Sequence, residues 1–596
     1  MSHAVTAECL LPTLSRIWRN GLSKEALHGP GRIGVCVSGG PDSIALAYLL
    51  KQAPRTDPGM RVEPLAFIVN HNARPKSRKE AHFVARYLEK LETVVLDIDW
   101  GKGLDPTSLP DFEMLARRAR YRLIAGEAIR RNIHHLFLGH HQDDQVETIL
   151  MRLIRNPNTS FLGLQGMSEQ SAVPCCEDIR GAHELEQYER FPHWLHQFDR
   201  TIYNDIEDND SVNFGKQVTV ARPDGLLIHR PLLQFPKSRL LETCKENGII
   251  YQRDKTNDDP TLTLRNAIRQ LRRSQSGLTR DQHLPRALQA RSILQLCDRA
   301  RELALSLVER GTDILRRIKV DTFDLRSGMM TISLSKGFVA ACEADPAAGA
   351  NALARLTSVV SYQSRDDVPT LVPHDRLVDF LEAMRSRGPK SLTIQKVLLE
   401  MLEVEGSSIE FETVNWRLSR PPMRSSEIRL VHQGFLPKIA QGDIGLGSSS
   451  TCQSAVDAAE SVWSEWLLWD HRYWVRVRAK SAASLSEINI RPYQASDAAQ
   501  AFGTTENESA RLRRILAQAA PGKTRYTLPV LTVRGRISVF PTLNIIMPED
   551  PSKENGSTLT PHSILEWEIC YKVMDQPFIN EQVKTIEWRN AMVNRR

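Results

Sequence analysis

Short apolar runs alternate with amphipathic stretches through the first third of the chain. The runs are bounded by glycine and polar residues, as is typical of buried strands, and they cover residues 33–37, 65–69, 93–98 and 133–138. Between them, apolar side chains recur at helical spacing over residues 44–50, 76–91 and 112–131. This alternation predicts an α/β fold built on a doubly wound, mostly parallel sheet with helices on both faces.

The pattern changes further along the chain. From residue 168 to about 225, acidic residues with Asn, Gly and scattered aromatic residues predict an acidic surface insertion. Regular structure resumes with a strand at 226–228 and helices at 237–247, 263–273 and 284–317. We therefore predict an N-terminal segment (1–32), an α/β domain (33–270), a helical and mixed middle region (271–455) and an α+β C-terminal region (456–596).

Composition limits the class of protein. At 596 residues the chain is too long for a single core, and its 41% hydrophobic and 25% charged residues are typical of globular proteins. No apolar run reaches the roughly 18–20 residues that span a bilayer, so we expect no membrane partner. The nine cysteines include no Cys-x-x-Cys pair, which argues against a zinc knuckle and for a reducing compartment. A net charge of +7 suits a polyanionic partner.

The N-terminal segment combines basic and apolar positions. Arg16 and Arg19 stand beside Leu14 and other apolar residues, as in an amphipathic helix. A mitochondrial import signal has such a face, but it avoids acids, and Glu8 and Glu25 are present. The alternative is an ordinary helix packed on the α/β domain.

A glycine turn, Ser38-Gly-Gly-Pro-Asp-Ser43, follows the first predicted strand. The backbone N–H groups of Gly39 and Gly40 and of the next helix would converge there, and a helix N-terminus attracts anions. No Gly-Lys-Ser/Thr follows, so this is not a Walker A loop. It resembles the pyrophosphate loop of enzymes that split ATP between its α and β phosphates. The alternative is a plain turn between a strand and a helix.

Two further polar clusters follow other predicted strands and should meet at the same sheet edge. His71 and Arg74 follow the second strand, where they could meet phosphate or adenosine, or lie in a solvated loop. Residues 139–148 open a helix that carries His140, Asp143, Asp144 and Glu147. Carboxylates there could hold Mg²⁺, grip an amine or accept its proton, and the alternative is a helix start stabilised by acids.

Arginines mark two of the predicted helices. Arg117 and Arg120 share one face of the helix at 112–131, where they could balance charge on an α-phosphate or lie in water. Arg265 and Arg269 lie on the basic helix at 263–273 and offer cations to a nucleic-acid backbone.

The order of these clusters resembles that of the tRNA(Ile)-lysidine synthetases, a family of the PP-loop ATP pyrophosphatase superfamily. The matching segments span roughly residues 33–270 and are 38–43, 70–80, 116–121, 138–148, 152–155, 163–167, 230–237, 254–257 and 265–269. The insertion, Asn70 and Asn156 depart from the family pattern. Residues 468–473 and 528–541 resemble the family's tRNA-binding tail, and the alternative there is ordinary strands with a core tryptophan.

The resemblance implies an activity and a set of site residues. The activity is ATP- and Mg²⁺-dependent ligation of L-lysine to carbon 2 of the wobble cytidine of a tRNA(Ile) with a CAU anticodon. It proceeds through an adenylated cytidine and releases PPi and AMP. The implied catalytic residues are Asp42, Arg120, His140, Asp144 and Glu147. The implied ATP-binding residues are Ser38, Gly39, Gly40, Pro41, Asp42, Ser43, His71 and Arg74. Arg265 and Arg269 would bind tRNA, and Asp42 and Asp143 would hold Mg²⁺.

Other functions share the glycine turn. A tRNA thiolase usually needs reactive or metal-binding cysteines, and the nearest candidate, Cys36, lies in a predicted buried strand. An amidotransferase-linked synthetase would need a glutaminase domain, for which there is no signal. An inactive RNA-binding relative would have lost Asp42, Asp144 or Glu147, and all three are present. The resemblance favours a mitochondrial over a cytoplasmic location and leaves open whether the chain is a monomer or a dimer.

Replacement of Asp42 tests its assignment to the reacting groups. We expect Asp42→Ala to abolish AMP release and to leave tRNA retention largely unchanged, because the carboxylate is assigned to the metal or the amine and not to the tRNA backbone. Chromatography of radiolabelled ATP and retention of tRNA on filters measure the two effects. AMP release that survives in the variant would show the assignment to be wrong.

Overall fold

In the computed structural model the chain forms two compact units. The first unit is Met1–Glu184 with Asp224–Ser306, and the second is Leu185–Pro223 with Leu307–Arg596. The structure describes residues 4–19, 30–57, 59–74, 76–88, 91–101, 105–156, 160–183, 219–220, 225–252, 259–273, 285–364, 369–385, 390–402, 413–436, 463–479, 485–498, 506–547 and 565–572.

A six-stranded sheet forms the centre of the first unit, in the order β3-β2-β1-β4-β7-β5. Its strands are β1 (Gly31–Val37), β2 (Val62–Asn70), β3 (Glu92–Asp97), β4 (His135–Leu138), β5 (Gln170–Ala172) and β7 (Leu227–His229). Neighbouring strands are parallel except for β5 with β7. The predicted doubly wound α/β fold is confirmed. The strand order reverses beside β1, which is where such sheets bind ligands.

Helices cover both faces of this sheet. They are α1 (Leu11–Ile17), α2 (Pro41–Thr56), α3 (Ser77–Tyr87), α4 (Phe112–Arg130), α5 (Gln142–Arg155), α6 (Lys237–Glu246) and α7 (Leu264–Arg273). Successive residues of a strand point to opposite faces. Accordingly, Phe137 belongs to the core cluster that contains α2, whereas Leu136 belongs to the cluster that contains Tyr121 of α4. The sheet is therefore buried on both sides, as its apolar runs predict.

The N-terminal segment packs on the first unit. A 3₁₀ turn (Ala7–Leu10) leads into α1, and Leu10, Leu14 and Ile17 are all buried in the cluster that contains α2. The backbone N–H of Val5 also donates to the Thr243 hydroxyl at 2.8 Å. The N-terminal segment is therefore placed as an ordinary helix packed on the α/β domain, which is the alternative to an import signal.

The structure corrects the start of the predicted insertion. β5 lies within residues 168–183, the first part of the stretch predicted as a surface insertion, and it pairs with β7 at the edge of the central sheet. Val173, Cys176 and Ala182 are buried in the same cluster as Tyr121. Pro174 and several charged residues interrupt this stretch, so it contains no apolar run that marks a strand in the sequence. Residues 184–218 and 221–224 of the predicted insertion lie outside the described residues.

The second unit contains three further sheets. Their orders are β10-β11-β12-β9-β8, β13-β16-β17-β18-β19 and β14-β15-β20-β6. The strands are β6 (Thr219–Val220), β8 (Ile318–Asp324), β9 (Met329–Ser335), β10 (Ser391–Ile394), β11 (Val397–Met401), β12 (Thr413–Ser419), β13 (Gln433–Gly434), β14 (Leu467–Trp469), β15 (Tyr473–Ala479), β16 (Ile488–Pro492), β17 (Pro529–Val533), β18 (Arg536–Phe540), β19 (Ile545–Ile546) and β20 (Leu565–Tyr571). Neighbouring strands in these three sheets are antiparallel, except β20 and β6, which are parallel.

Helices accompany these sheets. They are α8 (Ala290–Leu315, which begins in the first unit), α9 (Lys336–Ala344), α10 (Pro346–Ser358), α11 (His374–Arg385), α12 (Ser425–Leu430) and α13 (Glu506–Ala519). The prediction of helical and α+β regions after the α/β domain is thus confirmed. Across the described ranges, no helix is both long and apolar enough to cross a bilayer.

A buried charge cluster lies in the second unit, in one of the two stretches that resemble a tRNA-binding tail. Asp470 accepts hydrogen bonds from Arg420 at 2.9 and 3.0 Å and from Arg472 at 2.7 Å. Arg472 also donates to the carbonyl oxygens of Ser327 and Thr527 at 3.0 and 2.6 Å. Arg472 is fully buried. This geometry favours the alternative for residues 468–473, a structural core, over a surface that contacts tRNA.

A pair of buried histidines lies between β4 and β7. His135 Nδ1 and His229 Nε2 are 3.1 Å apart, and the His229 ring stacks on Phe137 at a centroid distance of 5.2 Å. Burial lowers the pKa of His135 to about 4 and that of His229 to about 3. Both imidazoles are therefore neutral in the folded protein at neutral pH.

This pair should make the first unit sensitive to mild acid. Below about pH 6.5 an unfolded histidine takes up a proton. The folded pair does not until about pH 3–4, so stability is lost as pH falls through this window. We expect urea unfolding of His229→Leu to depend less on pH between 7.5 and 4.5 than unfolding of the unsubstituted protein, with the exposed-site variant His82→Gln as control. Equal pH dependence in all three proteins would contradict the assignment.

Candidate active site

Residues 38–43 form a closed turn between β1 and α2. The Ser43 hydroxyl donates to the Gly40 carbonyl at 3.1 Å and accepts from the Ser38 backbone N–H at 3.1 Å. Gly39 has a φ of +87°, and a Cβ there would lie 2.8 Å from Val84. The turn therefore requires glycine at this position. It presents the unpaired N–H groups of α2 to one point, which suits a phosphate anion.

A second glycine brings the loop after β4 against this turn. A Cβ on Gly139 would lie 3.0 Å from the carbonyl carbon and oxygen of Asp42 and 3.0 Å from the Cα of Ser43. These are backbone atoms, which cannot swing aside as a side chain can. The contact places His140 and His141 beside the start of α2. The predicted polar clusters at residues 38–43 and 139–148 therefore meet at one edge of the sheet.

Asp42 lies in the first turn of α2 between Lys237 and His141. One of its oxygens, Oδ2, is 2.8 Å from Lys237 Nζ and 3.6 Å from His141 Nε2. Burial alone would raise the pKa of Asp42, but His141 and Lys237 outweigh burial and hold the pKa below its usual range. The other oxygen, Oδ1, is buried and has no hydrogen-bond partner among the residues that the structure describes. Asp42 is thus an ionised carboxylate with one acceptor atom unused.

The predicted catalytic carboxylates are paired with the predicted tRNA-binding arginines. Arg265 donates to Glu147 at 2.7 Å and to Asp144 at 2.9 Å, and Arg269 donates to Glu147 at 2.9 Å. Glu147 is only 3% exposed. Burial disfavours charge on Arg265, but Asp144 and Glu147 outweigh it and raise its pKa. These four residues form one ion-pair cluster between α5 and α7.

The two predicted Mg²⁺ ligands differ in how well they fit a metal. Asp143 accepts from the Lys237 backbone N–H at 2.8 Å and from Arg272 at 2.7 Å, so both of its oxygens are engaged. Asp42 keeps Oδ1 open. No group of three or more His, Cys, Asp or Glu residues is placed to hold a metal among the described residues. Because Mg²⁺ in nucleotide sites often takes one or two protein carboxylates and several phosphate oxygens, Asp42 fits this role and Asp143 does not.

His71 and Arg120 form a second part of the site, at the end of β2. Burial lowers the pKa of His71, and the charges of Arg120 and Arg74 lower it further. The three predicted residues therefore lie near one another. The Trp100 indole donates to the His71 carbonyl at 2.7 Å, which anchors this loop to the segment after β3.

His140 is held as a neutral hydrogen-bonding group. Arg230, directly after β7, donates through Nε to His140 Nδ1 at 3.3 Å. Burial lowers the pKa of His140 to about 4, although the charge of Asp144 opposes this shift. With Nδ1 as the acceptor, the neutral ring carries its proton on Nε2.

The chain resembles proteins of known name over most of its length. The PP-loop domain family matches residues 14–214 and 215–273. A probable tRNA(Ile)-lysidine synthase from Schizosaccharomyces pombe is 26% identical over 511 residues, which cover 85% of this chain and 89% of that protein. A tRNA(Ile)-lysidine synthase from Bradyrhizobium sp. is 31% identical over 39% of this chain. One from Rhodopseudomonas palustris is 29% identical over 47% of this chain. The chain is thus similar to tRNA(Ile)-lysidine synthases, in one case over 85% of its length.

The share of each relative that the chain covers differs between these proteins. The chain spans 49% of the Bradyrhizobium protein and 63% of the Rhodopseudomonas protein, compared with 89% of the fission yeast protein. The bacterial matches are therefore partial, and the fission yeast match extends into the second unit.

The structure adds residues to which sequence reasoning gave no role. Lys237 and His141 contact Asp42, and Arg230 contacts His140. Arg272, for which the sequence suggested a nucleic-acid backbone contact or a solvated position, instead pairs with Asp143. Lys237 and Arg230 fall within segments shared with the family, which was the only signal for them. Residues 254–257, another shared segment, lie outside the described residues.

The close approach of Gly139 can be tested with a matched glycine substitution. We expect Gly139→Val to weaken binding of α,β-methylene-ATP by roughly tenfold or more, because its side chain displaces the backbone of the phosphate turn. Gly126→Ala in α4 is the control. A Cβ there meets nothing within 4 Å, and helical alanine should add about 0.5–1 kcal/mol of stability. Isothermal titration and urea unfolding measure the two effects, and unchanged nucleotide affinity in Gly139→Val would contradict the geometry.

Proposed function

We propose that this chain joins L-lysine to carbon 2 of the wobble cytidine of a tRNA(Ile) with a CAU anticodon, at the expense of ATP. The observation that carries the proposal is the contact of Gly139 with Asp42 and Ser43. It brings a turn suited to phosphate and a helix rich in acids to one edge of the sheet. Similarity to proteins named tRNA(Ile)-lysidine synthase supports the tRNA and the amino acid as substrates.

In the first step, the cytosine O2 attacks the α-phosphorus of ATP and pyrophosphate leaves. The turn at 38–43 and the N-terminus of α2 would hold the departing pyrophosphate. Arg120 would balance charge on the phosphoryl group, while His140 would donate a hydrogen bond from Nε2. Mg²⁺ supplied with ATP neutralises phosphate charge, and Asp42 would hold it through Oδ1.

In the second step, the lysine ε-amine bonds to carbon 2 and the bond from that carbon to the AMP oxygen breaks. The amine must first lose a proton to become a nucleophile. Asp144 and Glu147 would bind the ammonium and accept this proton. Both lie on α5, which begins three residues after Gly139.

Arg265 and Arg269 occupy the carboxylate oxygens that the ammonium would use. A substrate ammonium therefore competes with guanidinium groups for the same acceptors. Phosphates of a bound tRNA would offer those guanidinium groups another partner. This exchange reconciles the tRNA-binding role proposed for the arginines with their observed ion pairs.

Specific observations disfavour the alternatives. Burial raises the pKa of the Cys36 thiol to about 12, so this cysteine does not supply a thiolate at neutral pH, as a thiolase would need. A catalytically inactive relative would have no reason to keep the carboxylates of Asp42, Asp144 and Glu147 at one edge of the sheet. We also propose a mitochondrial location over a cytoplasmic one, which cell fractionation would test. A dimer is a further proposal, to be tested by light scattering.

Direct assay tests the proposed reaction. Incubation with ATP, Mg²⁺, radiolabelled lysine and an isoleucine tRNA with a CAU anticodon should place label in the RNA. A transcript with uridine at the wobble position should take up none. We expect Glu147→Gln to lower incorporation by about 10²–10⁴-fold, since it removes an acceptor for the ammonium and its proton. The Gly126→Ala variant should retain full activity. Folded protein that places no label in authentic tRNA would contradict the proposal.

A further inference from the structure

Arg230 is a buried cation without a counter-charge. It is 7% exposed and donates to the Ser168 carbonyl at 2.8 Å, to the Ser171 hydroxyl at 3.1 Å and to His140 Nδ1 at 3.3 Å. All of these acceptors are neutral. Among the described residues, no carboxylate pairs with Arg230, and its Nη2 makes no hydrogen bond. Burial of an unpaired charge costs folding free energy, so the position calls for an anion from outside the chain.

The surroundings of Arg230 are also positive. The guanidinium groups of Arg117 and Arg120 lie 4.9 and 5.3 Å from the centre of the Tyr121 ring. Neither arginine pairs with a carboxylate in the described part of the chain. Burial lowers the pKa of Arg230, the charge of Arg117 lowers it further, and the nearby Tyr121 opposes this shift. Arg117, Arg120 and Arg230 thus all lie near Tyr121, and none of them forms an ion pair with a carboxylate of the described residues.

Tyr121 gives a second, independent observation. Its side chain is 2% exposed, and its hydroxyl has no hydrogen-bond partner in the part of the chain that the structure describes. A buried hydroxyl usually finds a partner, because leaving it unpaired costs free energy. A phosphate oxygen that reached the arginines could also accept this hydrogen bond.

We propose that Arg230 and Tyr121, with Arg117 and Arg120, form a receptor for a phosphate ester, separate from the turn at 38–43. This inference rests on the proposed function and deepens it. The ester would be the phosphate that joins AMP to the cytidine, or a backbone phosphate beside the wobble nucleotide. In the first case the receptor holds the phosphate during lysine attack, after pyrophosphate has left the other site. Arg230 then has two partners to align, the phosphate through Nη2 and the His140 ring through Nε.

A comparison of AMP with adenosine tests this receptor, because the two ligands differ only in the phosphate. We expect AMP to bind at least tenfold more tightly than adenosine in isothermal titration. Arg230→Gln should reduce that ratio by about tenfold, since a charge-assisted hydrogen bond is lost. Tyr121→Phe should reduce the ratio of AMP affinity to adenosine affinity about threefold. The melting temperature of this variant should not fall, because the hydroxyl that it removes has no hydrogen-bond partner among the described residues. Arg130→Gln serves as the matched control. Arg130 lies at the C-terminal end of α4, the helix that carries Tyr121, and it pairs with Glu127.

Binding of tRNA in the absence of ATP separates the two sources of phosphate. A tenfold loss of tRNA affinity in Arg230→Gln with an unchanged AMP-to-adenosine ratio assigns the receptor to a backbone phosphate. The proposal is wrong if both variants keep the AMP-to-adenosine affinity ratio and the tRNA affinity of the unsubstituted protein. Arg230 is then a structural residue, whether or not the melting temperature falls. If Arg230→Gln does not fold, Tyr121→Phe decides. The titration with AMP and adenosine needs neither lysine nor tRNA. If AMP binds more tightly than adenosine as expected but no lysine enters the tRNA, the proposed function is contradicted and the receptor is not.

Discussion

The missing side chain at Gly139 is the constraint on which the site depends. The loop after β4 and the start of α2 approach so closely that even one methyl group would lie 3.0 Å from backbone atoms of Asp42 and Ser43. Neither element can retreat, because each continues a strand that is buried on both faces. The separation between the phosphate turn and the acidic helix is therefore set by the sheet and is independent of any flexible side chain.

Charge pairing then determines which groups are available to a substrate. Asp144 and Glu147 are buried and each is held by guanidinium groups. Within the described ranges, by contrast, Asp42 keeps one oxygen unpaired and Arg230 keeps one nitrogen unpaired. A buried carboxylate that lost its cation would carry a large desolvation cost. In the reaction that we propose, substrates would enter this site by exchange of partners, so the carboxylates would not become unpaired at any stage. The unpaired atoms mark where a ligand can bind without such an exchange.

Sequence patterns predicted the sheet well because its strands are local and apolar. The strands at 33–37, 65–69, 93–98 and 133–138 and the helices between them were all found, with ends that moved by a few residues. β5 was missed, since three residues with polar neighbours carry no periodic signal. The ion pairs of Arg265 with Asp144 and Glu147 were also missed, because they join residues more than one hundred positions apart. A solvated arginine and a paired one look the same in a single sequence.

The buried cluster around Asp470 has a consequence for how the second unit holds together. Arg420 follows β12, Asp470 and Arg472 lie between β14 and β15, and the carbonyls of Ser327 and Thr527 come from two other loops. One carboxylate thus ties together segments from both sides of residue 455, where the sequence suggested a boundary. A chain cut there would leave Arg420 buried without its anion. The second unit is therefore expected to melt in a single transition, and its halves should not be interchangeable modules.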